Sequence, residues 1–176
     1  MFKKLVLIFA LVAVSYAGTC NSYEREQLNE GYKPCVYTDT KGNPTVGVGF
    51  NLNKPGARQA LEGVEANYDA VRNGSECLND GQIRTLFNDD MAEAVSCVES
   101  WLGSSYYALG SDPISAIADM AFNMGCAKLR GFVKFRAALT ESPPDYEAAA
   151  KEMQNSVWCQ QVGNRCQLRD IPCMHG

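Results

Sequence analysis

The chain has 176 residues, eight cysteines, one histidine and a formal net charge of −4. That length allows one domain or two small lobes, and the acidic balance argues against nucleic acid as a partner, because phosphate binding needs a basic face. No CxxC pair occurs and the lone histidine, His175, lies at the C-terminus, so neither a metal nor a cofactor is expected and His175 is assigned no role.

Residues 1–17 read as a signal peptide. Lys3 and Lys4 form its positive end, residues 5–14 its apolar core, and Ser15-Tyr16-Ala17 a small-residue cleavage site. The apolar run is too short for a comfortable membrane span, and no second one follows, so a secreted, extracellular protein without a membrane partner is expected. Losing Lys3 and Lys4 takes the charge from −4 to about −6. Cys20, Cys35, Cys77, Cys97, Cys126, Cys159, Cys166 and Cys173 all survive the cleavage. An even set in a secreted chain implies up to four disulfides, but eight cysteines allow about 105 pairings and the connectivity stays open.

Ser22 is placed to cap a first helix, with Glu24 and Glu26 in its opening turn and Glu30 at its end, where Gly31 stops it. Val36 and Tyr37 begin an extended run that residues 40–44, Thr-Lys-Gly-Asn-Pro, turn back. The return run 45–50 alternates by two, with Val46, Val48 and Phe50 on one face and Thr45, Gly47 and Gly49 on the other. Glycines in a strand mark a close approach to the backbone. That second face, opposite Asp39 and near Glu30, reads either as the floor of a shallow cleft or as a surface hairpin whose Asp caps a turn. Two carboxyls flanking a groove are the equipment for hydrolysing a glycosidic bond, but residue types alone leave both readings open.

Residues 51–55 form a loop, with Pro55 fitted to the first turn of a weakly patterned helix over 56–72. Asn73-Gly74-Ser75 is a turn signal and makes Asn73 a candidate glycosylation site. The strongest helix covers 79–102. Asn79 and Gln82 have capping-box spacing, and Ile83, Leu86, Phe87, Met91, Ala94, Val95, Val98, Trp101 and Leu102 repeat at helical period. After a break at 103–110, Asp112 and Pro113 restart a helix as cap and first residue, with Ile114, Ile117, Ala118, Ala121 and Phe122 on its apolar face. Asn123, polar between Phe122 and Met124, needs a reason to be there. Helices over 132–139 and 145–158 follow. Neither repeats nor low-complexity tracts occur.

Glu30, eight residues, Asp39, five residues, Thr45, then Gly47 and Gly49 as GxG: this spacing closely resembles the phage-type lysozymes, glycoside hydrolase family 24. One departure is visible, Phe50 standing where many members carry His. DGQIRTLFNDDMAEAV is similar to the family's lobe-connecting helix, residues 120–125 with Gly131-Phe132 to its cleft-lining segment, and Trp158 followed by Asn164-Arg165 to its final signature. The resemblance spans residues 22–165. It implies an α+β, lysozyme-like fold, with a small β-hairpin lobe and a larger all-helical lobe joined by a long helix and a cleft between them. The expected division is signal peptide 1–17 and catalytic domain 18–176, the latter comprising hairpin lobe 18–78, connecting helix 79–102 and helical lobe 103–176.

The resemblance further implies a muramidase acting on the β-1,4 link between N-acetylmuramic acid and N-acetylglucosamine in peptidoglycan; a monomer is expected. Glu30 would be the general acid, with Asp39 and Thr45 positioning water and the anomeric centre inverted, which calls for carboxyls about 6.5–9.5 Å apart. Asn51, Phe122, Asn123 and Arg165 are the expected substrate-side residues, Arg165 by pairing with Glu30. Without the resemblance, Phe122 reads equally as a core aromatic and Arg165 as an ordinary surface residue. Cys159 and Cys166 bracket Arg165, and a bridge between them would fix it. Antibacterial defence and digestion of bacteria use the same chemistry. The rival class is a lysozyme-fold protein that binds peptidoglycan or chitin-like sugars without turnover.

Overall fold

The computed structural model describes Cys20, Gln27 and residues 30–175. The leader and the expected cap residues Ser22, Glu24 and Glu26 lie outside the described residues. Gln27 and Glu30 are helical, and Gly31 follows with φ +80°, the left-handed conformation that stops a helix.

Three antiparallel strands come next, β1 (Lys33–Thr38), β2 (Pro44–Gly47) and β3 (Phe50–Asn51), in the order β1-β2-β3. Tyr37 pairs with Thr45 across β1 and β2, and Val46 with Phe50 across β2 and β3. The expected single return strand is therefore two strands with a tight turn between them. Gly47 (φ +67°) and Gly49 (φ +76°) make the turn possible, since both occupy backbone conformations that side chains resist. A period-two pattern does not survive a turn. Val46, Val48 and Phe50 are buried as expected, but so are Thr45 and Gly47, and a Cβ on Gly47 would stand 2.9 Å from Ile83 Cγ2. Gly47 is bare for the core and Gly49 for Glu30, so the two glycines do not share one open floor.

The expected helix over 56–72 is two, Ala57–Gly63 and Tyr68–Asn73. Glu65 adopts φ +58° between them, and Asn67 caps the second by accepting from the Ala70 amide at 3.0 Å. Pro55 precedes the first helix without entering it, because Gly56 is left-handed at φ +80°. The long helix Asp80–Leu102 carries the full capping box: Asn79 accepts from the Gln82 amide, and Gln82 accepts from the Asn79 amide. Its ends have different neighbours. Ile83 packs on the Gly47 backbone, Phe87 lies 5.6 Å from Phe122, and Trp101 lies 6.2 Å from Phe135. A short 3₁₀ segment, Gly103–Ala108, intervenes before helix Ser111–Met124. That helix begins with Gly110 before it, so Asp112 sits in the first turn and does not cap it.

The expected helix over 145–158 ends at Gln154, because the Ser156 hydroxyl captures the Cys159 amide at 3.0 Å and starts a second helix, Val157–Val162. A π-type turn, Cys166–Asp170, leads into Ile171–Met174, which docks on helices Ser111–Met124 and Tyr146–Gln154. The molecule is α+β, a small sheet and a larger helical body joined by one long helix. The eight cysteines form four bridges, Cys20–Cys173, Cys35–Cys77, Cys97–Cys126 and Cys159–Cys166.

Candidate active site

Glu30 stands where the first helical segment meets the sheet. Gly49 lets it approach, since a Cβ there would lie 3.3 Å from both Cγ and Oε2 of Glu30. Its Oε1 accepts from Arg165 Nη1 and, at 3.2 Å, from Asn123 Nδ2. The amide orientation of Asn123 is forced by chemistry: the Trp158 indole N–H can only donate, and it reaches Asn123 Oδ1 at 3.0 Å, so the amide nitrogen must face Glu30. Arg165 is buried and forks onto Asp119, with Nε to Oδ2 at 2.8 Å and Nη2 to Oδ1 at 2.6 Å. The Cys159–Cys166 bridge closes the loop that carries Arg165.

Asp39 follows the end of β1 and organises the turn. Its Oδ1 accepts from the backbone amides of Lys41 (2.8 Å) and Asn43 (2.7 Å), and Oδ2 accepts from Asn43 Nδ2 at 3.1 Å. The Asn43 backbone bond, then its side-chain bond, the Lys41 amide and the Lys41 charge hold the carboxyl below its ordinary value against a smaller desolvation cost. Asp39 thus caps a turn and faces the cleft at once. The Thr45 hydroxyl donates to the Asn43 carbonyl at 3.2 Å, and Thr45 is 2% exposed, behind the cleft wall. Tyr37 is pushed above its usual value by burial and by the charges of Glu30 and Asp39.

Glu30, Asp39, Asn51, Phe122 and Asn123 line one cleft of about 770 Å³. Arg165, like Thr45, stands behind that surface. Phe122 packs on Phe87 and also lines the cleft. Asn51 accepts from the Asn53 amide at 2.7 Å. On the same wall Lys54 lies over the Phe50 ring, 4.0 Å from its centroid, and pairs with Asp90 on the long helix. Burial, with Glu93 and Asp89 adding, outweighs the pull of Lys54 and raises Asp90 above its ordinary value. Asn73 lies outside this lining, exposed at the end of its helix. Asp119 and the Lys54–Asp90 pair are the residues that sequence reading missed. An acid on the buried face of an apolar helix, beside Ile117, Ala118 and Ala121, was the available signal for Asp119.

A carboxyl held by an arginine and an amide and a turn-bound carboxylate line one cleft beside a small sheet, in a fold of the lysozyme-like class. The sequence pattern described as Phage lysozyme matches residues 27–169, and the chain belongs to that family. "Probable T4-type lysozyme 2" of Dictyostelium discoideum is 31% identical over 144 residues, covering 78% of this chain and 84% of its own. "Probable T4-type lysozyme 1" of the same organism is 30% identical over 144 residues with the same coverage. "Pre-baseplate central spike protein Gp5" of Enterobacteria phage T4 is 32% identical over 146 residues, 78% of this chain but 24% of the spike protein.

Proposed function

We propose that this protein is a secreted muramidase that cleaves the β-1,4 link between N-acetylmuramic acid and N-acetylglucosamine in bacterial peptidoglycan, for defence or for feeding. The observation that carries the reading is Glu30 fixed in the cleft by Arg165 and Asn123. A carboxyl with one oxygen held by two donors leaves the other to present a proton to a leaving glycosidic oxygen. Asp39, kept ionised by its turn, balances oxocarbenium charge and directs water to the opposite sugar face. The buried Thr45 hydroxyl, donating to the Asn43 carbonyl, bears on that water through the Asp39–Asn43 turn that it braces. The product would carry the inverted anomeric configuration.

Size and compartment support the same reading. The cleft shares Lys41, Asn123 and Gln161 with an adjoining groove of about 660 Å³, enough length for a polymer. Fully paired cysteines belong to an oxidising compartment. The enzyme works as a monomer on a solid wall, without nucleic acid, membrane or cofactor.

The test is clearing of a peptidoglycan suspension by wild type and by Glu30→Gln, with the product anomer read by NMR. Clearing by wild type alone, with Glu30→Gln still binding the wall, is expected. Equal clearing by both removes Glu30 from the role. Binding without clearing by either makes the protein a sugar-binding member of the family.

A further inference from the structure

We propose that Asp119 is a positioning residue for the acid: it holds the Arg165 guanidinium and cancels its charge, so that Glu30 receives a hydrogen bond without an unbalanced cation. The inference rests on Glu30 being the acid of the proposed reaction. A guanidinium has five donors in one rigid plane. Asp119 occupies the Nε and Nη2 edge, and this directs Nη1 at Glu30 Oε1. The choice of which N–H faces the acid is therefore made by Asp119.

Burial gives the second half of the argument. Asp119 is 1% exposed and Arg165 is 7% exposed, whereas the Glu30 side chain is 21% exposed. Charges in so dry a place act on each other more strongly than at the surface. A lone buried cation on Glu30 would hold the carboxyl ionised and spoil it as a proton donor. Paired with Asp119, Arg165 remains a donor but its charge is balanced. Helix Ser111–Met124 supplies this carboxylate and, one turn later on the same face, the Asn123 amide that also grips Glu30. Among the described residues, Tyr37 on β1 feels the charges of Glu30 and Asp39, and Asp39, Lys41, Lys54, Asp90 and Glu93 share the cleft with Glu30; Asp119 acts differently, through the Arg165 guanidinium that it holds.

Asp119→Asn keeps the shape and one acceptor but removes the charge; Asp119→Glu keeps the charge. The experiment records the pH profile of kcat/KM on peptidoglycan, the ¹³C NMR titration of the Glu30 and Asp119 carboxyls, and the melting temperature of each protein. In Asp119→Asn the high-pH limb and the Glu30 titration should both move down by about one pH unit or more, while Asp119→Glu keeps both near their wild-type positions even if it melts earlier. A lower melting temperature with an unmoved limb and an unmoved Glu30 titration would reduce Asp119 to a structural role. Should Asp119→Asn fail to fold, the wild-type spectrum decides: Asp119 must stay ionised throughout the Glu30 titration, and protonation of Asp119 alongside Glu30 overturns the proposal. Wild type that does not clear peptidoglycan would defeat the muramidase reading, and the carboxyl titrations would still decide the charge balance.

Discussion

Trp158 reaches the acid only through Asn123, but it decides which end of that amide Glu30 meets. Trp158→Phe keeps most of the ring and deletes the N–H, leaving Asn123 free to present its oxygen to Glu30. We expect kcat to fall by about tenfold, the equivalent of one net hydrogen bond, with KM little changed, as steady-state kinetics on peptidoglycan would show. Asp39 sets a different expectation, in pH. Its folded-state value is lowered, so the stability it contributes is complete above the ordinary carboxylate range and is lost as pH falls through the lowered value. Melting curves of wild type and Asp39→Asn should accordingly converge at strongly acidic pH and separate above it. Coincident curves at neutral pH would show that the Asn43 and Lys41 bonds add nothing.

Among the elements, the β2–β3 turn is the one that function and folding share. Gly49→Ala combines a left-handed φ with a Cβ 3.3 Å from Glu30, so activity should drop further than the melting temperature alone accounts for. Asn79→Ala, by contrast, removes one half of the capping box at the exposed start of the long helix; about 1 kcal/mol of stability should go, measured by denaturant unfolding, with activity at the assay temperature unaffected. The long helix was legible in sequence because its signals are local: a cap, a box partner and an apolar stripe at one period. The β2–β3 turn was not, because Thr45 to Phe50 alternates whether or not the chain reverses inside it, and only Ile83 and Glu30, distant in sequence, explain the two bare positions. The break at Asn155 was hidden for a related reason, since Ser156 is tolerated within a helix until its hydroxyl takes the Cys159 amide. Glu30, Asp39 and Asn123 were marked by spacing and by misplaced polarity, whereas the fork of Arg165 on Asp119 joins residues 46 apart and has no local trace beyond a charge on an apolar face.

Taken whole, the molecule is an acidic protein read here as working on an anionic wall. Moderate salt should therefore raise the rate of lysis at low substrate by screening repulsion at long range, with the rate falling again only at higher salt; a monotonic decline from the lowest salt would point to net attraction instead. The bridge pattern has a consequence of another kind. Cys20–Cys173 spans 153 residues, and the other three bridges lie inside it in series, none interleaved with another. The backbone between Cys20 and Cys173 is thereby closed into a single covalent hoop with three smaller rings strung along it. A protease that cuts the hoop once opens it without releasing a fragment, and a second cut in a different small ring from the first still leaves the pieces tethered. Nicked molecules should run as one species on a non-reducing gel and fall apart only when thiol is added.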